Sequence, residues 1–271
     1  MTDSFDYESK LWGSGRVKKL PFFFGASQIE FALRDLKGTK GKVLEVGCGG
    51  GAMAKAVKKY RPDLKVYAVD ISESAVSRAK QDPLGVEFVL ADALKLPFGK
   101  QSFDGILMFD LLEHLENPLK SLSEAYRVLK PGGVFSVFVP LEGSRFTIYG
   151  MIGKFFKFIR VSKIKYAGHV KEFSLKDLEK LFEKSGFCIY KKRNFGHLFY
   201  QITDFLYFTF LAIRGKNVPL TVEGYIFEKK GWKKSFFVVL KSLVAVVCYL
   251  ESKIFWFLPA SGVHLTAGRP S

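Results

Sequence analysis

The sequence predicts an α/β protein: a parallel sheet wound with helices on both sides. Three observations predict it. After Gly38, short apolar runs bounded by turn residues alternate with helical patterns, the rhythm of a parallel sheet. Those runs are apolar without a period of two, as strands covered on both faces must be. A glycine-rich turn follows the first run directly, where such sheets bind ligands.

The elements follow in order. Residues 1–37 form an N-terminal arm that ends in a helix, SQIEFALRDL (27–36). KVLEVG (42–47) is the first strand and Gly50–Tyr60 the first helix of the repeat. KVYAVD (65–70) and Ser72–Gln81 repeat the pair, and VEFVLAD (86–92) and FDGILMF (103–109) are strands three and four. Pro118–Lys130 is a helix stopped by Pro131-Gly132-Gly133, and VFSVFVP (134–140) is the fifth strand. A helix capped by Ser174 and Gly186 leads into FCIYKKR (187–193), and GVHLTAGRP (262–270) closes the set at seven strands.

Two stretches depart from the rhythm. Residues 143–170 carry Ile148, Met151, Ile152, Phe155, Phe156 and Ile159 at helical spacing, with Lys154, Lys157, Arg160, Lys163 and Lys165 as cations. Residues 196–261 are long, aromatic and apolar. Asp204 interrupts their first half, and Lys241, Glu251 and Lys253 the second, so helices lying against an interface fit better than clean spans of about 20 apolar residues. The domain reading is an arm (1–37), a nucleotide-binding core (38–142), a basic amphipathic insertion (143–170), an apolar helical insertion (196–261), and completion of the sheet by 171–195 and 262–271.

Composition narrows the partners. A net charge of +16 calls for an anionic partner. With 28 phenylalanines and a mean hydropathy of +0.09, a lipid surface fits better than nucleic acid. Cys48, Cys188 and Cys248 are scattered, which predicts a reducing compartment and no metal site. The acidic, polar N-terminus is unlike a secretory signal. Together these place the chain in the cytoplasm, peripheral on the inner face of the membrane.

The loop VLEVGCGGGA (43–52) admits two readings. Gly47, Gly49 and Ala52 fit a dinucleotide fingerprint, whereas Glu45, Gly47, Gly49 and Gly51 fit a different nucleotide loop. Asp70, about 20 residues on, suits ribose hydroxyls in either case. Asp92 after the third strand suits an adenine edge. Glu45, a carboxylate inside an apolar strand, needs a partner. A cationic ligand end suits it, and a pyrophosphate does not. An NAD-dependent oxidoreductase is therefore disfavoured.

These residues, with FDGILMFDLLEHLENP, LSEAYRVLKPGGVFSVFVP and HVKEFSLKDLEKLFEKSGF, resemble the class I S-adenosylmethionine-dependent methyltransferases, the type 11 group in particular. That group includes enzymes of ubiquinone and menaquinone biosynthesis. The resemblance covers about Lys42–Pro140 and implies a Rossmann-like, mostly parallel sheet of seven strands with an antiparallel last strand. It also implies S-adenosyl-L-methionine as cofactor. Glu45, Gly47, Cys48, Gly49 and Gly51 would face its methionine part, Asp70 its ribose, Ile71 the adenine ring, and Asp92 and Ala93 the adenine edge. Phe109 would wall the methyl group. The insertions fall where this fold builds its acceptor pocket.

Methyl transfer needs a base only where the acceptor holds a proton. Asp110, Glu113, His114 and His169 are the candidates, and His114 leads, with Asp110 beside it, because an imidazole titrates near neutrality. Tyr7 and Trp12 would form a lid. The expected acceptor is a hydrophobic, lipid- or quinone-like small molecule reached from the membrane surface. A soluble metabolite or RNA is the alternative, although no RNA-binding motif is present.

Overall fold

The computed structural model describes residues 25–144, 147–152, 167–214, 230–255 and 257–270. Tyr7, Trp12, Phe155, Phe156, Ile159 and the cations Lys154, Lys157, Arg160, Lys163 and Lys165 lie outside those residues, so the lid and most of the basic stretch do too.

The elements in chain order are α1 (Ala26–Asp35), β1 (Lys42–Val46), α2 (Ala52–Tyr60), β2 (Lys65–Asp70), α3 (Glu73–Lys80), β3 (Val86–Leu90), β4 (Phe103–Phe109), α4 (Pro118–Val128), β5 (Leu129–Pro140), α5 (Ile148–Ile152), α6 (Leu175–Lys184), β6 (Cys188–Phe195), α7 (Leu198–Arg214), α8 (Gly231–Ile254) and β7 (Gly262–Gly268). The seven strands form one sheet in the order β3-β2-β1-β4-β5-β7-β6. Strands β3 to β5 are parallel, and β7 runs antiparallel between β5 and β6. This is the doubly wound, Rossmann-like sheet with an antiparallel last strand.

Both faces are buried, and alternate residues divide between them. Leu44, Val46, Ile106 and Met108 join one core with Leu122 and Ala125 of α4 and Leu178 and Phe182 of α6. Val43, Leu107 and Phe109 join the other with Ile29 of α1, Val57 of α2 and Val76 of α3. Burial on two faces explains why the strands carry no polar alternation.

Ser72 caps α3, Asn117 caps α4, and Ser174 with Asp177 forms a capping box on α6. One boundary differs from the sequence expectation. Helix α4 ends at Val128 and β5 already starts at Leu129, because Leu129 pairs with Phe103 before the register shifts to Gly105–Val134. The Pro-Gly-Gly run is thus an excursion within a strand, not a helix stop.

A buried polar cluster joins α1 to the far end of the sheet. Asp35 accepts hydrogen bonds from Arg193 (2.7 Å), Ser136 (2.8 Å) and Thr266 (2.9 Å), and lies 2.9 Å from His264 Nε2. Burial alone would raise the Asp35 carboxyl, but the bonds from His264 and Arg193 overcome it and hold it at about 2. Burial keeps His264 neutral.

Helices α7 and α8 occupy the apolar insertion. Glu251 of α8 accepts from the amides of Phe199 (2.7 Å) and Tyr200 (3.2 Å) and so caps the start of α7, while Lys253 donates to Glu30 of α1 at 2.6 Å. Ala245, Cys248 and Ser252 form the buried stripe of α8. Its other faces carry exposed Trp232, Phe236, Val239, Leu243, Val247 and Ile254. Lys241 does not break the helix: its 24 residues are long and apolar enough to cross a membrane.

Candidate active site

Chain order reverses between β1 and β4. From β1 the chain passes to β2 on one side, and returns to β4 on the other. Such a reversal opens a crevice beyond the carboxyl ends of the strands. Every residue that the sequence singled out for cofactor contact lies at those ends of the neighbouring strands β3, β2, β1 and β4.

The loop after β1 turns with positive φ at Gly47 (76°), Gly49 (50°) and Gly51 (79°), a region that glycine enters without steric cost. Asp70 holds it in place. The Gly49 amide donates to Asp70 Oδ2 at 2.6 Å, and the Ser72 amide to Oδ1 at 3.0 Å. The Gly47 and Cys48 amides both donate to the Val69 carbonyl. A carboxylate offers about four lone-pair positions, so each Asp70 oxygen keeps capacity for a ligand hydroxyl. Gly51 has a second constraint: a Cβ there would sit 2.4 Å from the Phe88 ring, so the start of α2 packs directly on β3.

Glu45 sits on the α2 side of β1 and is 3% exposed. Among the described residues its Oε2 has no hydrogen-bond partner. Burial raises its carboxyl to about 8; the Ala54 amide pulls it back and neighbouring Asp70 pushes it further. Burial, with Glu45 and Asp70, also keeps the Cys48 thiol protonated.

Beyond β2, Ile71 is 61% exposed. Beyond β3, Asp92 accepts from the Leu94 amide at 2.8 Å in a tight turn that carries buried Ala93. Phe109, the last residue of β4, is buried, and Asp110 just beyond it takes φ 48°, a strained value for a residue with a side chain. Gln28 of α1 donates to Asp110 at 3.4 Å.

His114 ends a 3₁₀ turn, Leu112–His114, just after β4. Its Nδ1 lies 3.1 Å from the Gly168 carbonyl. His169 packs edge-on against it with ring centroids 4.9 Å apart, and its Nδ1 lies 3.1 Å from Glu142 Oε1. Burial, with His169 nearby, lowers His114 to about 4, so the imidazole is neutral at pH 7. Glu113 is buried, with a carboxylate oxygen within 4.8 Å of a nitrogen of each ring. Asp110 and His114 differ in hydrogen-bond partner, Gln28 against the Gly168 carbonyl, and His169 acts on the charge of both. Sequence reasoning weighed His169 as a base but could not pair it with Glu142, because both positions lie in the irregular segments around the basic insertion. The Asp70–Gly49 bond was equally invisible, since Asp70 pointed to a ligand and not to the loop.

The fold is the one that class I methyltransferases share. Residues 44–137 match the methyltransferase domain family model of type 11, and that segment is such a domain. The biotin biosynthesis bifunctional protein BioHC of Teredinibacter turnerae is 38% identical over 126 residues, 41% of this chain and 21% of that protein. A ubiquinone biosynthesis O-methyltransferase of Coxiella burnetii is 38% identical over 99 residues, 35% of this chain and 42% of its own. The chain thus spans less than half the length of these relatives. A putative methyltransferase of Bacillus halodurans superposes with a TM-score of 0.58 at 23% identity, covering 90% of this chain and 100% of the other. Phosphoethanolamine N-methyltransferase 2 of Haemonchus contortus, solved with S-adenosyl-L-methionine, gives 0.57 at 19% identity, covering 91% and 53%. At these identities the two structures share the fold.

Proposed function

We propose that the chain is an S-adenosylmethionine-dependent methyltransferase that acts on a hydrophobic, lipid- or quinone-like acceptor at a membrane surface. The buried Glu45 carboxylate carries the cofactor half of this reading. Its unpartnered Oε2, at the head of a glycine loop, fits a ligand whose positive end draws out the charged form, which a pyrophosphate would oppose. S-adenosylmethionine has that positive end, and when bound it supplies an activated methyl on a good leaving group.

The chain's residues then bind and align. Glu45 and the Gly47–Gly51 loop, Cys48 included, hold the methionine part. Asp70 accepts the ribose hydroxyls with its remaining lone pairs. Ile71 offers an exposed apolar face to the adenine, and Asp92 and Ala93 meet its edge. Phe109 closes the wall beside the acceptor. Alignment of this kind lowers a displacement barrier by up to about 7–11 kcal/mol. Where the acceptor must lose a proton, Asp110 at the end of β4 takes it; burial holds His114 at about 4, which makes it a weaker base than an ordinary imidazole.

The exposed apolar faces of α7 and α8 support the acceptor half. Leu198, Ile202, Leu206 and Ile213 on α7 join Trp232, Phe236 and Leu243 on α8 as solvent-facing apolar residues, and Lys233 and Lys234 flank the start of α8. Apolar faces with cations at their border bind anionic interfaces. The same surface supports a location peripheral to the inner face of the membrane.

Methyl-labelled S-adenosylmethionine incubated with protein and whole-cell extract tests the reading. Label in the organic phase is the expected result. Label confined to the aqueous phase would redirect the acceptor to a soluble metabolite or RNA, and no transfer with any fraction would sink the enzyme reading.

A further inference from the structure

The sequence alone calls for no metal, but the fold assembles a donor set that suits one. We propose that Glu113, His114 and His169 bind a single divalent first-row transition ion, of the zinc or cobalt type, with Glu142 as the outer partner of His169.

One donor atom from each of the three residues lies within 4.8 Å of the other two. His114 Nε2 is 3.9 Å from Glu113 Oε1. Donor–donor edges in a tetrahedral site with bonds of about 2.0–2.1 Å are roughly 3.3–3.5 Å. Closure therefore needs side-chain movements of about 1 Å, within the range of small torsional adjustment. Two imidazoles and one carboxylate form a borderline donor set, which selects zinc, cobalt or iron over magnesium or calcium.

The outer contacts fit the same assignment. A metal-bound histidine usually gives its second N–H to a carbonyl or a carboxylate, which fixes the tautomer and aims the other nitrogen. His114 has its Nδ1 at the Gly168 carbonyl, and His169 has its Nδ1 at Glu142, each at 3.1 Å. Both outer contacts use Nδ1, so the nitrogen that would meet the ion is Nε2. The backbone also holds the donors together. The Val170 and Lys171 amides donate to the Glu113 carbonyl at 2.9 and 3.0 Å, which ties the turn after β4 to the segment bearing His169. A site held on a fixed backbone loses little order on binding. An ion here, three residues beyond Asp110, would lower the pKa of any oxygen ligand it carried.

The test is cobalt titration of untagged, chelator-stripped full-length protein, followed by visible absorption, with zinc as competitor and S-adenosylhomocysteine binding measured in parallel. The assignment expects one saturable cobalt site that zinc displaces. His169→Ala should abolish it, and Glu142→Gln should weaken it by about 10–100-fold, as loss of an outer partner does. His197→Ala, in the apolar insertion, should leave it intact. S-adenosylhomocysteine binding retained in His169→Ala shows that the variant is folded. No saturable cobalt binding, or binding unchanged in both His169→Ala and Glu113→Gln, overturns the assignment. Because cofactor binding is read separately, failure of the metal site and failure of the methyltransferase reading are distinct results.

Discussion

The Gly49 amide donates to Asp70 Oδ2 at 2.6 Å, so the carboxylate at the end of β2 holds the glycine loop at the end of β1. In Asp70→Asn one side-chain oxygen becomes an N–H donor and the charge is lost, so either the Gly49 or the Ser72 amide loses its acceptor. Hydrogen bonds to a charged group are worth about 1.5–3 kcal/mol. S-adenosylhomocysteine binding by calorimetry should weaken by about 10–100-fold. An affinity within twofold of the parent would show that the loop does not depend on this bond.

If Glu45 meets the cofactor's positive end as proposed, cofactor binding should depend on pH. Its carboxyl is raised to about 8 in the free protein, so it holds a proton at neutral pH. A positive ligand end favours the charged form and expels that proton. Affinity should therefore rise from pH 6 to pH 8, with proton release at pH 7 visible in buffers of different ionisation enthalpy. In Glu45→Gln the release should vanish.

The same group sets a stability trend in the free protein. A carboxyl raised from 4.5 to about 8 keeps its proton in the fold after the unfolded chain has lost it. Stability then falls as pH rises through that window, by on the order of a few kcal/mol. Denaturant unfolding between pH 5 and 8 measures the slope, which Glu45→Gln should flatten.

Asp35 acts in the opposite direction. Its carboxyl is held at about 2 against an ordinary 3.8. The unfolded chain takes up the proton first as pH falls, so the contribution is present above 3.8 and is lost between 3.8 and about 2. Its size is about 2 kcal/mol. Asp35→Asn should remove this acid limb. It should also cost about 3–5 kcal/mol at neutral pH, because Arg193 is left buried without its carboxylate.

Gly51→Ala should destabilise the fold by about 1–3 kcal/mol, since it combines a left-handed φ with a Cβ at 2.4 Å from the Phe88 ring. Gly38→Ala is the control, because nothing lies within 4 Å of its added carbon. Equal melting temperatures for the two variants would contradict the packing argument.

The α8 surface offers the last prediction. Phe236, Leu243 and Val247 are exposed, so a triple change to serine should leave thermal unfolding within a few degrees of the parent. Flotation with anionic vesicles should drop at least about tenfold, since each lost apolar contact is worth about 1–3 kcal/mol. Flotation equal to the parent's would remove these residues from the interface.

The sequence by itself determined the strand series, the double winding and the ligand end of the sheet. These are local properties: apolar runs without alternation mark strands buried on both faces, and a glycine turn needs only its own backbone freedom. Glu45 was legible for the same reason, as a charge inside an apolar run. Tertiary structure alone decided the pairings. Asp70 with Gly49, Asp35 with Arg193 and His264, and His169 with Glu142 join positions between 21 and 229 residues apart, and no local pattern encodes such meetings. It also decided the continuity of α8, where a lysine that reads as an interruption in one dimension is a single side chain on one face of a helix. Periodicity reports what a residue does to its neighbours in the chain; the electrostatics of a buried group are set by the groups that folding brings against it.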